Sequence, residues 1–261
     1  MQFTGIKGKV AVVIGASGGM GQSIVEQLSD NGAYVVAIDN QKDKLYSFVS
    51  DLQQKGIQLA SCPLDIRDYD EVEKTIETIE RDVGPIEILI HAAGVLYLDE
   101  VVSLPKTNWD TTFAINTTGV FHIAQAVSRR MIPRQKGSMV IVSSNAARIP
   151  RMSMAAYAAS KAATTMFVKC LGLELAQHHI RCNIVSPGST ETDMLKQLWK
   201  GEQGEQISIS GTAEEYRLGI PLGKIGHPLD VTRTVLFLTS DMAGHITMED
   251  ICVDGGATLG L

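Results

Sequence analysis

Seven short runs of β-branched and other apolar residues alternate with longer amphipathic stretches along the whole chain. The runs cover residues 10–14, 34–38, 58–62, 86–90, 138–143, 181–185 and 250–253. Strands that alternate with helical crossovers in this way pair side by side in a parallel sheet, with helices on both faces. We therefore predict an α/β fold built on one doubly wound, seven-stranded parallel sheet.

No proline- or serine-rich linker and no charged block interrupts this alternation, which predicts a single domain over residues 1–261. One segment, residues 188–211, fits neither the strand pattern nor the helix pattern. Irregular segments of this length in a compact domain are usually functional, often as lids. We expect residues 188–211 to form a loop or lid over a substrate.

The charge balance excludes several classes of partner. The 261 residues carry 23 Lys and Arg against 29 Asp and Glu, a formal net charge of −6. Such a chain lacks the broad positive surface that holds nucleic acid or an anionic membrane, so we expect neither partner. The four cysteines lie far apart and no apolar run reaches the ~18 residues of a membrane span. We expect a cytoplasmic protein without disulfides or bound metal.

A glycine-rich turn follows the first predicted strand and leads directly into a helical stretch. Glycines at such a turn let the backbone approach a pyrophosphate, whose charge is met by the free N–H groups of the helix N-terminus. Strand, turn and helix together predict a Rossmann-like dinucleotide site. Its predicted contacts are Gly15, Ser17, Gly18, Gly19, Met20 and Gly21.

Two acidic residues end the second and third predicted strands. Asp39 lies 24 residues past Gly15, where a carboxylate accepts hydrogen bonds from the adenosine ribose and repels a 2′-phosphate. This position favours NAD over NADP as the cofactor, and the alternative is that Asp39 only begins a turn. For Asp65 we weigh an adenine contact against a helix cap.

Tyr157 and Lys161 are four residues apart in an alanine-rich stretch that should be helical, so they share one helix face. A lysine ammonium beneath the phenol would lower the pKa of Tyr157 and make it a general base. Alone, the pair is more often an exposed packing pair.

Ser143 and Ser144 end the preceding strand and point to opposite sides, so one serves a ligand and the other the backbone.

These motifs occur in the order seen in the short-chain dehydrogenase/reductase family, which the chain resembles over its whole length. The matching positions are Gly15-x-x-x-Gly19-x-Gly21, Ala92-Ala93-Gly94, Asn116, Ser144, Tyr157-x-x-x-Lys161 and Pro187-Gly188. Ile14 and His91 depart from the family pattern, and we expect both to change only local hydrogen bonds.

The resemblance implies a role for each matching side chain. Tyr157 is the catalytic acid/base, Lys161 lowers the pKa of Tyr157 and binds the nicotinamide ribose, and Ser144 holds the reacting oxygen. Asn116 holds a water in a proton relay. The resemblance also implies a homotetramer built partly on the helix around residues 155–168, and a cofactor held in addition by Ala92, Ala93, Gly94, Tyr157, Lys161, Pro187, Gly188, Thr190 and Thr192.

Motifs in residues 148–157, 186–194, 218–225 and 254–260 resemble, more narrowly, a branch of the family that oxidises a cyclohexadiene diol acid with NAD. A carboxylate substrate needs a local cation, and Arg148 and Arg151 are the candidates, with Arg151 preferred. The alternative is that both arginines are solvated loop residues or pair with acids across a subunit interface. Met194, with Met152, Met154, Leu195 and Trp199, would form an apolar wall, unless these side chains are plain core.

Two other functions remain open at this stage. One is another NAD-linked alcohol dehydrogenase of the family, acting on a sugar, steroid or acyl-thioester alcohol. The other is a dinucleotide-sensing regulatory protein without turnover. The second predicts a broken Tyr/Lys pair, and the intact Tyr157 and Lys161 argue against it.

Overall fold

The computed structural model describes residues 3–199 and 203–261. Its main sheet has seven strands, all parallel, in the order β3-β2-β1-β4-β5-β6-β9. The predicted fold class is confirmed, and no strand end differs from the prediction by more than two residues. The strands are β1 (Val10–Ile14), β2 (Tyr34–Asp39), β3 (Leu59–Pro63), β4 (Ile86–His91), β5 (Gly137–Val142), β6 (Ile180–Pro187) and β9 (Asp250–Val253).

Helices cover both faces of the sheet. They are α1 (Gly19–Asp30), α2 (Lys42–Gln54), α3 (Tyr69–Asp82), α4 (Lys106–Phe113), α5 (Gly119–Met131), α6 (Ala155–Leu175), α7 (Asp193–Lys196), α8 (Gly204–Ser210) and α9 (Pro228–Thr239). Helices α1, α2 and α9 pack on one face, and α3, α5 and α6 pack on the other. None of the helices in the described ranges is long and apolar enough to cross a lipid bilayer.

The alternation of side chains along each strand builds two separate cores. In β1, Ala11 and Val13 join the core beneath α1 and α9, while Val12 and Ile14 join the core beneath α3 and α5. Strands buried on both faces have no polar side to show, which explains why they read as continuous apolar runs in the sequence.

The order of strands reverses between β1 and β4, because β2 and β3 lie to one side of β1 and later strands to the other. In open α/β sheets the crossovers from these two strands run in opposite directions and leave a crevice at the carboxyl ends. The glycine-rich turn after β1 and the segment after β4 both begin at this crevice.

The predicted loop 188–211 is more regular than expected. It contains α7 and α8, and it leads into an antiparallel pair formed by β7 (Gly211–Thr212) and β8 (Arg217–Leu218). Trp199 links the two helices of this segment, since its indole N–H donates to Ser208 Oγ at 3.3 Å. Residues 200–202 of the predicted loop lie outside the described residues.

Candidate active site

The turn after β1 is closed by contacts between backbone atoms. Gly15 has a φ of +80°, and a Cβ at this position would lie 2.5 Å from the amide nitrogen of Ala93. A Cβ at Gly21 would collide with the carbonyl oxygen of Gly15. Only glycine fits these two positions, so the start of α1 lies directly against the ends of β1 and β4.

The N-terminus of α1 opens onto the crevice. Gly18 is its N-cap, and within the described part of the chain no side chain caps this end or brings an acidic charge to its first turn. The first N–H groups and the positive end of the helix dipole therefore face the crevice. Ser17 is fully buried beside them, and its hydroxyl finds no partner among the described residues. An anionic ligand such as a pyrophosphate suits this arrangement.

Asp39 lies at the end of β2, where its carboxylate is almost fully buried. Its two oxygens accept the backbone N–H groups of Ser17 and Gln41, each at 3.0 Å, which orients the carboxylate along the crevice. Asp65 also lines the crevice but is held by Arg67, whose hydrogen bond lowers the pKa of Asp65. The helix-cap alternative for Asp65 is wrong, because Asp68 caps α3 by accepting the Glu71 N–H at 3.0 Å.

A cavity of about 550 Å³ runs along this crevice. It is long enough to touch the ends of β1, β2, β3 and β4, which is the extent of a dinucleotide lying across the switch point. The predicted cofactor contacts that line it are Gly15, Gly18, Gly19, Met20, Gly21, Asp39, Asp65, Ala92, Ala93, Gly94 and Thr192. The glycine cradle fits a bound dinucleotide, whereas Ser17, a predicted contact, is fully buried and does not line this cavity.

Asn116 is fully buried in a single π-helical turn, Ala114–Thr118, which joins α4 to α5. Its amide oxygen accepts the Val95 N–H and its amide nitrogen donates to the Val95 carbonyl, both at 2.9 Å. The nitrogen also donates to Ser160 Oγ at 3.1 Å. Asn116 therefore ties the segment after β4 to helix α6. The sequence did not predict the π turn, although such turns are frequent at functional sites.

The hydroxyls of the two serines after β5 have different partners. Ser143 bonds Thr165 Oγ1 at 2.7 Å and donates to the Lys161 carbonyl at 3.3 Å, so it braces helix α6. Ser144 accepts the Ala146 N–H at 3.1 Å and lies beside the Tyr157 hydroxyl. Of the two, Ser144 is the one that faces the tyrosine.

Tyr157 and Lys161 lie on one face of α6, with the ammonium nitrogen 5.9 Å from the centre of the phenol ring. Lys161 is almost fully buried and donates to the Val142 carbonyl at 2.9 Å. Burial lowers the pKa of Lys161 to about 8.

The sequence led us to expect that Lys161 lowers the pKa of Tyr157. In the structure the pKa of this phenol is raised instead. Burial raises the pKa of this phenol, and the neighbouring Ser144 hydroxyl opposes the rise. The physical reason is desolvation, since the hydroxyl end of Tyr157 lies in a buried region that disfavours the phenolate and that also disfavours the Lys161 charge.

His91 ends β4 and is buried against Lys161. Burial, together with the Lys161 charge, lowers the pKa of His91 to about 3, so the imidazole is neutral. Neither ring nitrogen has a partner within residues 3–199 and 203–261. His91 does not line either cavity of the site.

A second cavity, of about 110 Å³, lies over Ser144 and Tyr157. Arg151 reaches into it, and desolvation lowers the pKa of this guanidinium, with a further lowering from Arg217 and an opposing effect from Asp254. The sequence did not point to Arg217, since it lies 73 residues beyond Ser144 and belongs to no motif. The apolar lining includes Leu96, Met154, Met194, Leu195, Leu198 and Ile220.

Arg148 does not reach this cavity. Its guanidinium pairs with the buried carboxylate of Asp250 at 2.8 Å, and it also donates to the carbonyl oxygens of Asp250 and Leu261. These bonds hold the loop after β5 to strand β9. The anchor hypothesis for Arg148 is thus not supported, and its acidic partner, Asp250, lies in the same chain rather than across a subunit interface.

The segment after β6 joins the two cavities. Pro187, Gly188, Thr190 and Thr192 all line the smaller cavity. A Cβ at Gly188 would lie 2.6 Å from the Asp254 Cβ, so glycine lets the segment pass close to β9. Four residues border both cavities and form a shared wall: Met20, Leu96, Thr192 and Met194.

The chain matches a known protein family and is similar to enzymes of known activity. The family described as short chain dehydrogenase matches residues 9–203. The 2,3-dihydro-2,3-dihydroxybenzoate dehydrogenase of Bacillus subtilis is 50% identical, over 100% of both chains. The vibriobactin-specific 2,3-dihydro-2,3-dihydroxybenzoate dehydrogenase of Vibrio cholerae is 44% identical, over 95% of both chains.

A solved structure shows the same fold. The gluconate 5-dehydrogenase of Burkholderia cenocepacia, in complex with NADP and tartrate, superposes with a TM-score of 0.90. It is 26% identical, and the superposition covers 98% of this chain and 97% of that one.

Replacing Lys161 with Met should stabilise the fold. Its pKa falls from 10.5 to about 8, which corresponds to a cost on the order of 3 kcal/mol. Loss of the bond to Val142 offsets part of the gain, so we expect the free energy of unfolding at pH 7 to rise by about 1–3 kcal/mol. Urea denaturation measures this difference.

The sign of the pH dependence follows from the lowered pKa. The unfolded chain binds the Lys161 proton more tightly than the folded chain does. The destabilisation of the fold by the buried ammonium is therefore complete below about pH 8 and disappears as the pH approaches 10.5. The advantage of Lys161→Met over wild type should therefore shrink across that range. Lys169→Met, on the same helix, is the control. A Lys161→Met protein less stable than wild type at pH 7 contradicts the interpretation.

Proposed function

The chain belongs to the short-chain dehydrogenase family, and on that premise we propose that it oxidises 2,3-dihydro-2,3-dihydroxybenzoate to 2,3-dihydroxybenzoate with NAD. The reaction is a step in the biosynthesis of catechol siderophores. The observation that carries the proposal is that Ser144, Tyr157 and Arg151 line one small cavity next to the dinucleotide crevice. The full-length match to the Bacillus subtilis enzyme supports the choice of substrate.

The cofactor is NAD, and the crevice offers groups for each of its parts. The glycine turn and the N-terminus of α1 would receive the pyrophosphate, and Asp39 would accept the adenosine ribose hydroxyls. Lys161 would donate to the nicotinamide ribose. When bound, NAD supplies the acceptor for the hydride that leaves the substrate carbon.

Tyr157 is the group that moves the proton. As a phenolate it takes the proton of the substrate 3-hydroxyl while the hydride departs, so the carbon becomes a ketone. Ser144 donates to the oxygen on which negative charge develops. The ketone then tautomerises to the aromatic 2,3-dihydroxybenzoate, and aromatisation makes the net reaction one-way.

The position of Lys161 does not offset the effect of burial on the Tyr157 phenol. Its ammonium is 5.9 Å from the ring centre, and burial raises the pKa of Tyr157 despite it. We infer that the remaining stabilisation of the phenolate comes with the bound oxidised cofactor, which brings positive charge to the same cleft.

Arg151 supplies the cation that a carboxylate substrate needs. Its guanidinium is partly desolvated in an apolar cavity, where a bidentate pair with a carboxylate is strongest. The volume of about 110 Å³ is well below the ~300–1,000 Å³ that holds drug-sized ligands. A single ring therefore suits this cavity better than a steroid or a long acyl thioester.

We also propose that the protein is a cytoplasmic homotetramer. Four free cysteines suit a reducing compartment. Large apolar side chains are exposed on α5 and α6 and near residue 260, as at the faces of an oligomer: Phe121, Met166, Leu173, Leu259 and Leu261. Sedimentation velocity should give four times the mass of one chain, and a monomer would rule out this assembly.

The proposed function is tested by following NADH formation from the dihydrodiol acid. Wild type should reduce NAD rapidly and NADP poorly, and Tyr157→Phe should lower kcat by about 10²- to 10⁴-fold, since it removes the general base. Tyr216→Phe, at an almost fully exposed tyrosine, is the matched control. Full activity in Tyr157→Phe, or no turnover of the acid by wild type, contradicts the proposal.

Replacing Ser144 with Ala should shift the pH dependence of kcat/KM to higher pH. The Ser144 hydroxyl is the contact that lowers the pKa of Tyr157, and the base works only when deprotonated. The acidic limb of kcat/KM should therefore shift to higher pH in Ser144→Ala. Ser143→Ala serves as the comparison, because that hydroxyl faces helix α6. An unshifted limb in Ser144→Ala would show that the two groups do not communicate.

A further inference from the structure

Arg217 occupies a fixed position at the mouth of the smaller cavity. It pairs with Thr212 in the antiparallel ladder of β7 and β8. Gly211 has a φ of +81°, and a Cβ there would collide with the Arg217 carbonyl, so the two strands lie in close backbone contact. Beside this pair, the Ile220 N–H donates to the Ile209 carbonyl at 2.7 Å and links the two flanking segments. The arginine is thus carried on a defined strand.

The Arg217 side chain is half-buried although its two neighbours in the chain are exposed. Tyr216 is 91% exposed and Leu218 is 54% exposed, and Arg217 and Leu218 both line the smaller cavity. Burying a guanidinium without a charged partner costs free energy. A ligand that pairs with the guanidinium would offset that cost.

Arg217 shares the cavity with Arg151, Ser144 and Tyr157. Desolvation lowers the pKa of Arg151 and the charge of Arg217 lowers it further, which means that the two cations oppose each other in the cavity. Across residues 3–199 and 203–261, neither arginine forms a salt bridge within 4.0 Å. Two like charges in a small apolar cavity create a strong preference for an anion.

We propose that Arg217 is a second carboxylate-binding residue, and that the substrate carboxylate lies between the guanidinium groups of Arg151 and Arg217. This inference rests on the proposed function, because it assigns the carboxylate end of the same substrate. Arg217 donates to Ser189 Oγ at 3.1 Å, which orients the guanidinium and leaves most of its five N–H donors for the carboxylate.

The arrangement also explains how a small cavity selects an acid in a chain of net charge −6. A single guanidinium satisfies one edge of a carboxylate, whereas two approach it from different elements, the loop after β5 and the β7–β8 pair. A neutral ring of the same size would leave both cations unpaired next to each other. Discrimination against neutral diols then has two sources. The two guanidinium groups attract the carboxylate of the acid, and they repel each other when a neutral diol is bound.

The test compares the dihydrodiol acid with the same cyclohexadiene diol lacking the carboxylate. Arg217→Met should raise KM for the acid by about 10- to 150-fold, the range of one lost charge-assisted hydrogen bond. KM for the neutral diol should stay within twofold. Lys224→Met, which removes the same charge from an exposed position a few residues away, should leave both KM values unchanged. Arg217→Lys should restore part of the affinity for the acid.

An equal rise in KM for both substrates would show that Arg217 only links the β7–β8 pair to Ser189, and would overturn the proposal. No rise for the acid would overturn it as well. If wild type fails to oxidise the acid, the proposed function is wrong, and Arg217 is then tested by calorimetric titration with 2,3-dihydroxybenzoate and with catechol. Loss of the preference for the carboxylate in Arg217→Met supports its role, and an unchanged preference excludes it.

Discussion

Backbone atoms of the β1 turn, of the start of α1 and of the segment after β4 meet too closely for any side chain to lie between them. This contact requires glycine at residues 15 and 21 and directs the chain after β4 along the crevice. From there Val95 is held by both ends of the Asn116 amide, and Asn116 is held by Ser160 on α6. The dinucleotide turn and the catalytic helix are therefore joined by a continuous series of short contacts.

The site stores unfavourable free energy where the chemistry takes place. Lys161 keeps a cation in a buried position, and neither ring nitrogen of His91 has a partner among the described residues. A fold optimised for stability would not keep these groups together. The two packed cores on either face of the sheet, which are built from apolar side chains, provide the compensating stability.

The sequence predicted the sheet well because parallel strands buried on both faces leave an unbroken apolar signal. It predicted the glycine turn and the 157–161 pair for a similar reason, since both are local and their spacing carries the geometry. It failed where the partner lies far away in sequence. Arg148 was a candidate for binding substrate, yet its carboxylate partner, Asp250, comes 102 residues later. No local pattern signals the π turn at Asn116 or the inward-facing Arg217.

The shared wall between the two cavities links the two ligands energetically. Met20, Leu96, Thr192 and Met194 touch both spaces, so a side-chain position set by one occupant is part of the surface that the other meets. Linkage makes any such effect mutual: whatever factor the dinucleotide adds to the affinity for the acid, the acid adds to the affinity for the dinucleotide. The binary complexes and the ternary complex therefore form a thermodynamic cycle, and the four shared side chains are the surface common to both ligands.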